Sequence, residues 1–180
     1  MIHHVLTQVG KKVLLGGNVR GVSNLQLLKE VDGAEVLIME LDSWQLQGFG
    51  WAQISPSIAV FTNFMPDHLN YYKSMDEYFA DKVNIYKYQK PGEILIAGES
   101  VAKEWLVKEP PAYGQEIASS VGKNFKLLIP GEHNLENAAL AYGALEAYGL
   151  SGEEIIKSLE TFSGVEGRLQ HTEYIASWLK

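Results

Sequence analysis

Residues 57–86, SIAVFTNFMPDHLNYYKSMDEYFADKVNIY, decide how the rest of the chain is read. The segment opens with an apolar run at 57–62, the pattern of a strand covered on both faces. A polar, turn-rich stretch follows, with Asn63, Pro66, Asp67, His68 and Asn70. Ser74 then opens a helix expected to reach about Tyr88 and to stop at Pro91-Gly92. Its apolar stripe is Met75, Tyr78, Phe79, Val83 and Tyr86, with Lys82 beside it. Strand, polar loop and amphipathic helix make the first half of a βαβ unit.

Working outward, the same alternation recurs. Ile2, Val5, Leu6 and Val9 have helical spacing, and Gly10 fits the end of that helix. A short strand at 12–15 is expected to stop at Gly16-Gly17. Ser23 or Asn24 caps an expected helix to about Val31, with Leu25, Leu28 and Val31 as its core face. Residues 35–41 (EVLIMEL) and 93–97 (EILIA) read as further buried strands, and 126–129 as another. Residues 99–107 suggest a helix broken by Pro110-Pro111. An Ala-rich helix at 133–148 ends at Gly149, and Ser151 caps a last helix to about Phe162. Buried strands separated by helices predict an α/β fold, a mostly parallel sheet flanked by helices. In such sheets, ligands sit at the carboxyl ends of the strands.

The chain has 180 residues, enough for one domain with a sizeable core, and no linker divides it. Its net charge is −7, so a nucleic-acid backbone or an anionic membrane is not the expected partner. Cysteine is absent, which excludes disulfides, thiolate catalysis and Cys-ligated zinc. No apolar run approaches the roughly 18 residues of a membrane span. The N-terminus lacks the apolar core and cleavage site of a secretory signal, and the expected location is cytoplasmic.

Polar residues gather where the strands should end. Gly16-Gly17-Asn18 could bring backbone N–H groups to a phosphate, or could simply turn the chain. Glu40 closes an apolar strand, where a carboxylate is costly unless it is paired, bound to metal or protruding. Asp67 and His68 can ligate metal or move protons, or can belong to an ordinary turn. Lys82 beside an apolar stripe is either a snorkelling lysine or an amine made neutral and nucleophilic by burial. A neutral amine can add carbon dioxide and become a carbamate, an oxygen ligand for a cation. Asn134 and Asn137, three apart, can present two amides from one helix face to a nucleobase edge. Arg168 could grip a phosphate or form a surface ion pair.

In order and spacing, five segments resemble the central, ATP-binding domain of the Mur ligase family. They are GGNVRG at 16–21, VLIMELDSWQL at 36–46, residues 58–86, GEHNLENAALA at 131–141 and FSGVEGRLQ at 162–170. The matching segments run from about residue 12 to 170; residues 1–170 are expected to be the central domain, incomplete at its N-terminus, and 171–180 the start of a linker or following domain. The resemblance favours the branch of the family that adds D-glutamate to UDP-N-acetylmuramoyl-L-alanine. The implied activity is an ATP-dependent amide ligase of peptidoglycan-precursor synthesis that works through an acyl phosphate. The implied cofactors are ATP and Mg2+, with two ions and a carbamylated Lys82. By position, Glu40 and His68 would hold magnesium and Lys82 would support the second ion. Asn134 and Asn137 would face the ATP nucleoside, Arg168 its ribose or phosphates, and Asn18 the nucleotide-sugar diphosphate. Histidine is an awkward ligand here, since magnesium prefers oxygen.

The sequence also departs from the family. Asp42 stands where Ser is usual, Gly167 where His precedes the Arg, and Gln170 where Glu is common. No G-x-x-x-x-G-K-[ST] phosphate loop is present, although the resemblance places one just before the helix at 1–9. The expectation is therefore a piece of a ligase that folds without measurable ligase activity and leaves a strand position unfilled. Two other readings stay open. One is a non-catalytic nucleotide- or UDP-sugar-binding module. The other is a metal-dependent hydrolase built from Glu40, Asp67 and His68.

Overall fold

The structure is a computed structural model that describes residues 1–118 and 125–165, with the side chains of 115–118 left aside. Among the described residues there are five strands: β1 (Val13–Gly17), β2 (Val36–Glu40), β3 (Ile58–Phe61), β4 (Ile94–Gly98) and β5 (Gly114–Ala118). The helices are α1 (Ile2–Gln8), α2 (Asn24–Leu27), α3 (Ser43–Ala52), α4 (Met75–Lys82), α5 (Glu99–Glu104), α6 (Glu132–Tyr148) and α7 (Gly152–Leu159). Two 3-10 turns, Val31–Gly33 and Val83–Ile85, follow α2 and α4. All strand pairs are parallel. They fall into two sheets, β1-β2 and β3-β4-β5, with no ladder between them among the described residues.

Period-two alternation builds the core. Ile58 and Val60 of β3, with Ile94 and Ile96 of β4, face one hydrophobic cluster; Ala59, Phe61, Leu95 and Ala97 face the other. The first cluster is closed by Val5 and Leu6 of α1, the Ala-rich face of α6, and Ile155 and Leu159 of α7. Val13 of β1 and Val36 and Ile38 of β2 pack on the same cluster, so both sheets share it. The second cluster is aromatic. Phe64, Tyr72, Tyr78, Phe79 and Tyr86 bury against β3 and β4, with Val101 and Ala102 of α5.

Glycine is required at the carboxyl ends of two strands. Gly17 has φ +89, and a Cβ there would lie 2.0 Å from the Glu40 carbonyl oxygen. A Cβ at Gly98 would lie 2.2 Å from the Thr62 carbonyl oxygen. Each glycine lets one strand end pass close to its neighbour.

Several expectations are corrected. The helix expected from 23 to 31 is only one turn long. The Asn24 amide is spent on Gly17, accepting from its N–H at 2.7 Å and donating to its carbonyl at 3.3 Å. Leu25 and Leu28 are 78% and 65% exposed, so no packing supports a longer helix. β2 is covered on one face only, because Leu37 and Met39 are exposed. The run at 126–129 forms no strand; Phe125 and Ile129 bury as loop residues, since apolar content reports burial rather than ladder pairing. β5 was not expected. The caps fared better. Ser74 Oγ accepts from the Glu77 N–H at 3.2 Å, and Ser151 forms a capping box with Glu154. Gly149 ends α6 at φ +107.

Candidate functional site

The carboxyl ends of β2 and β3 and the last turn of α4 carry the candidate residues. After Glu40 the chain enters α3 through Asp42. The Asp42 carboxylate accepts from the Gln45 N–H at 2.8 Å, and Gln45 Oε1 accepts from the Asp42 N–H at 3.1 Å. This is a reciprocal capping box, of a kind worth about 1 kcal/mol to a helix. It explains why the departure from Ser to Asp at position 42 is tolerated, since both side chains cap. It also gives Gln45 a local role.

His68 sits in the loop after β3 with φ +55, in the left-handed region. Its N–H donates to Asp67 Oδ1 at 2.7 Å, and its Nε2 lies 3.3 Å from Asp67 Oδ2. Its carbonyl accepts from the N–H groups of Tyr71 and Tyr72. The imidazole meets the edges of Trp44, at 4.6 Å between ring centroids, and Tyr78, at 5.8 Å. The ring is thus held by backbone conformation and aromatic walls.

Lys82 ends α4. Its Nζ lies 5.9 Å from the centroid of the Tyr78 ring, so Lys82 and His68 share that aromatic neighbour. Burial lowers the lysine's pKa below its ordinary value, opposed by the charges of Asp42 and Asp67. A neutral amine is the form that can be carbamylated, so the side chain suits the role that the resemblance gave it. Among the described residues, no three His, Asp or Glu side chains converge to hold a metal ion. Glu40, Asp67 and His68 are thus not gathered into one three-residue cluster. This does not bear on a set completed by a modified lysine.

The remaining candidates lie elsewhere. The Asn18 side chain is exposed, and its N–H donates to the Glu40 carbonyl at 2.6 Å, tying β1's end to β2's. Gly17 is explained by that close approach, whereas a Cβ at Gly16 would meet Leu27 Cδ1 at 2.7 Å. Asn134 and Asn137 open α6, but Asn134 is buried and its Nδ2 donates to the Pro130 carbonyl at 2.6 Å. Asn137 is exposed. The expected pair of outward amides is therefore one amide. Arg168, Gly167 and Gln170 lie outside the described residues.

Sequence reasoning missed a second polar group. Asp81 Oδ2 accepts from Tyr72 Oη at 2.9 Å and from Gln47 Nε2 at 2.7 Å. Tyr72 is 5% exposed, and burial, with the Asp81 carboxylate adding, pushes its hydroxyl up to about 12. The partners are 9 and 34 residues from Asp81, so no local pattern announces them.

The candidate residues stand at strand ends of a parallel α/β fold, and comparison with known proteins agrees on the fold. The Mur ligase middle domain family matches residues 1–112, and the chain belongs to that family. It is 33% identical over 190 aligned positions to a UDP-N-acetylmuramoylalanine--D-glutamate ligase of Streptococcus agalactiae serotype III (strain NEM316), covering 94% of this chain and 42% of the relative. A ligase of the same name from Streptococcus thermophilus (strain ATCC BAA-491 / LMD-9) is 32% identical, with 97% and 43% covered. The chain thus spans less than half the length of these relatives. Among solved structures, MurF from Acinetobacter baumannii shares the fold with a TM-score of 0.73 at 20% identity, over 96% of this chain and 44% of that one. MurF from Thermotoga maritima, solved with ADP, has a TM-score of 0.73 at 19% identity, over 96% and 47%. No described helix is long and apolar enough to cross a membrane.

Proposed function

We propose that this chain is the central part of an ATP-dependent ligase that joins D-glutamate to UDP-N-acetylmuramoyl-L-alanine in the cytoplasm. The observation that carries the reading is the meeting of His68 and Lys82 on the Tyr78 ring at the carboxyl end of β3. The relatives of the same name, aligned over nearly the whole chain, support the choice of substrates.

In this reading Glu40, His68 and a carbamylated Lys82 would hold two magnesium ions, whose charge would offset crowded phosphate oxygens. Lys82, its pKa lowered by burial, supplies the amine that takes up carbon dioxide, and the Tyr78 ring limits where its chain can go. The Asp67 carboxylate orients the imidazole of His68, and Trp44 packs against the same ring. The Asn18 backbone holds the end of β1 beside Glu40, leaving its amide free for the nucleotide-sugar diphosphate. Exposed Asn137 faces the nucleoside of ATP. Arg168, outside the described residues, is assigned to the ribose or phosphates on the resemblance alone.

The test uses a ligase containing this chain at its natural place. Phosphate release should require ATP, magnesium, UDP-N-acetylmuramoyl-L-alanine and D-glutamate together. Turnover with another amino acid in preference to D-glutamate would move the protein to a different branch. Nucleotide binding without turnover would favour a binding module.

A further inference from the structure

One carboxylate oxygen joins the three elements that carry the proposed site. Asp81 Oδ2 belongs to α4, one residue before Lys82. Its first donor, Tyr72 Oη, lies in the loop after β3, four residues beyond His68. Its second donor, Gln47 Nε2, lies on α3, the helix that continues from Glu40 and Asp42. Hydrogen bonds to a charged acceptor in a partly desolvated place are the stronger kind. The loop donor is also fixed from behind, since the Tyr72 ring packs on Tyr78 at 5.0 Å and on Tyr71 at 4.9 Å. Tyr78 in turn is the ring that His68 and Lys82 share. Both donors sit on Oδ2, so the loop and α3 are tied to α4 through a single atom.

We propose that Asp81 is a positioning residue: it clamps α3, the His68 loop and α4 to one atom and so sets the spacing of His68 and Lys82. The inference rests on the reading of those two residues as part of the ligase site. A misplacement of about 1 Å at a reacting centre can cost on the order of a hundredfold in rate. Loss of the clamp is thus expected to act on kcat more than on KM.

The experiment compares Asp81→Ala, Asp81→Asn and Gln47→Ala in a ligase containing this chain, with Lys82→Ala as reference. The asparagine keeps an oxygen that can accept from both donors. Asp81→Ala should lower kcat by about tenfold to a hundredfold while KM for ATP changes less than about threefold. Asp81→Asn should recover most of that loss, and the ring-proton resonances of His68 should shift in the alanine variant and return in the asparagine variant. Gln47→Ala, with its milder effect on folding, should lower kcat about threefold if Asp81→Ala cannot be purified folded. Wild-type kcat in a folded Asp81→Ala or Gln47→Ala variant would overturn the proposal. So would a kcat loss in Asp81→Asn equal to that in Asp81→Ala, because it would make charge, not position, the contribution. If Lys82→Ala also keeps full activity, the ligase-site reading itself fails. If Lys82→Ala is inactive and the Asp81 variants are not impaired, only the clamp fails.

Discussion

The two parallel sheets use the same devices and are finished differently. In both, a glycine lets one strand end pass against a neighbouring carbonyl: Gly17 against Glu40, and Gly98 against Thr62. Both place one face on the cluster closed by α1, α6 and α7. On the opposite face they part. β3 and β4 bury Ala59, Phe61, Leu95 and Ala97 under an aromatic cluster. β2 leaves Leu37 47% and Met39 37% exposed, and α2 covers the face only in part. The residues argued to carry the chemistry are divided between them, with Asn18 and Glu40 on the open sheet and His68 and Lys82 on the packed one. The packed half holds its side chains by side-chain contacts, whereas the open half holds its strand ends by backbone contacts.

That contrast can be broken. Phe79 is 4% exposed and touches Phe61, Phe64 and Trp105. Replacing it with Ala should cost about 3–5 kcal/mol by urea unfolding. In the open half the vulnerable point is backbone. Gly17→Ala should cost ~2 kcal/mol or more, since a left-handed φ is unfavourable and the new Cβ meets a main-chain oxygen. A comparable stability for both proteins would mean that the strand ends can separate freely.

Lys82 should show a smaller effect with a defined sign. Its folded pKa is lowered, so below that value folding confines a charge that prefers water. The native state then binds fewer protons than the unfolded one as pH rises toward the ordinary lysine value. Stability from this group therefore increases with pH through that window. Lys82→Met should stabilise the chain at pH 7, with a gain that shrinks as pH approaches 10.5, the ordinary value. Unfolding curves at both ends of the range would check it; a gain that grows with pH would contradict the burial argument. The smallest effect belongs to the exposed face of β2. Leu37→Ala should change stability by no more than about 0.5 kcal/mol, and a larger loss would show that this face is covered after all.

Much of this was legible before any coordinates. Residues 57–86 specify strand, loop and helix, and Ser74 and Ser151 mark helix starts that the structure reproduces. The capping box of Asp42 and Gln45 is visible in the sequence as D-x-x-Q, inside the segment 36–46 that carries the family resemblance. Other features depended on partners that periodicity does not name. Leu25, Leu28 and Val31 have helical spacing, yet no surface receives them, so the helix stops after one turn. The apolar run at 126–129 fills the core without a neighbouring strand. Asn134 has a suitable side chain, but it is buried and its Nδ2 donates to the Pro130 carbonyl before α6. The Asp81 clamp joins residues far apart in sequence, and only the packing of α3 on α4 brings them together.

The claim on which the account turns is that Lys82 is an amine prepared by burial for carbamylation. A ligase containing this chain, held with magnesium and carbon-13-labelled bicarbonate, gives the direct measurement by carbon-13 NMR. The account predicts a carbamate carbon resonance that is present in the wild type, absent in Lys82→Ala, and unrestored in that variant by excess bicarbonate. A wild-type spectrum without that resonance, or one unchanged by Lys82→Ala, would contradict it.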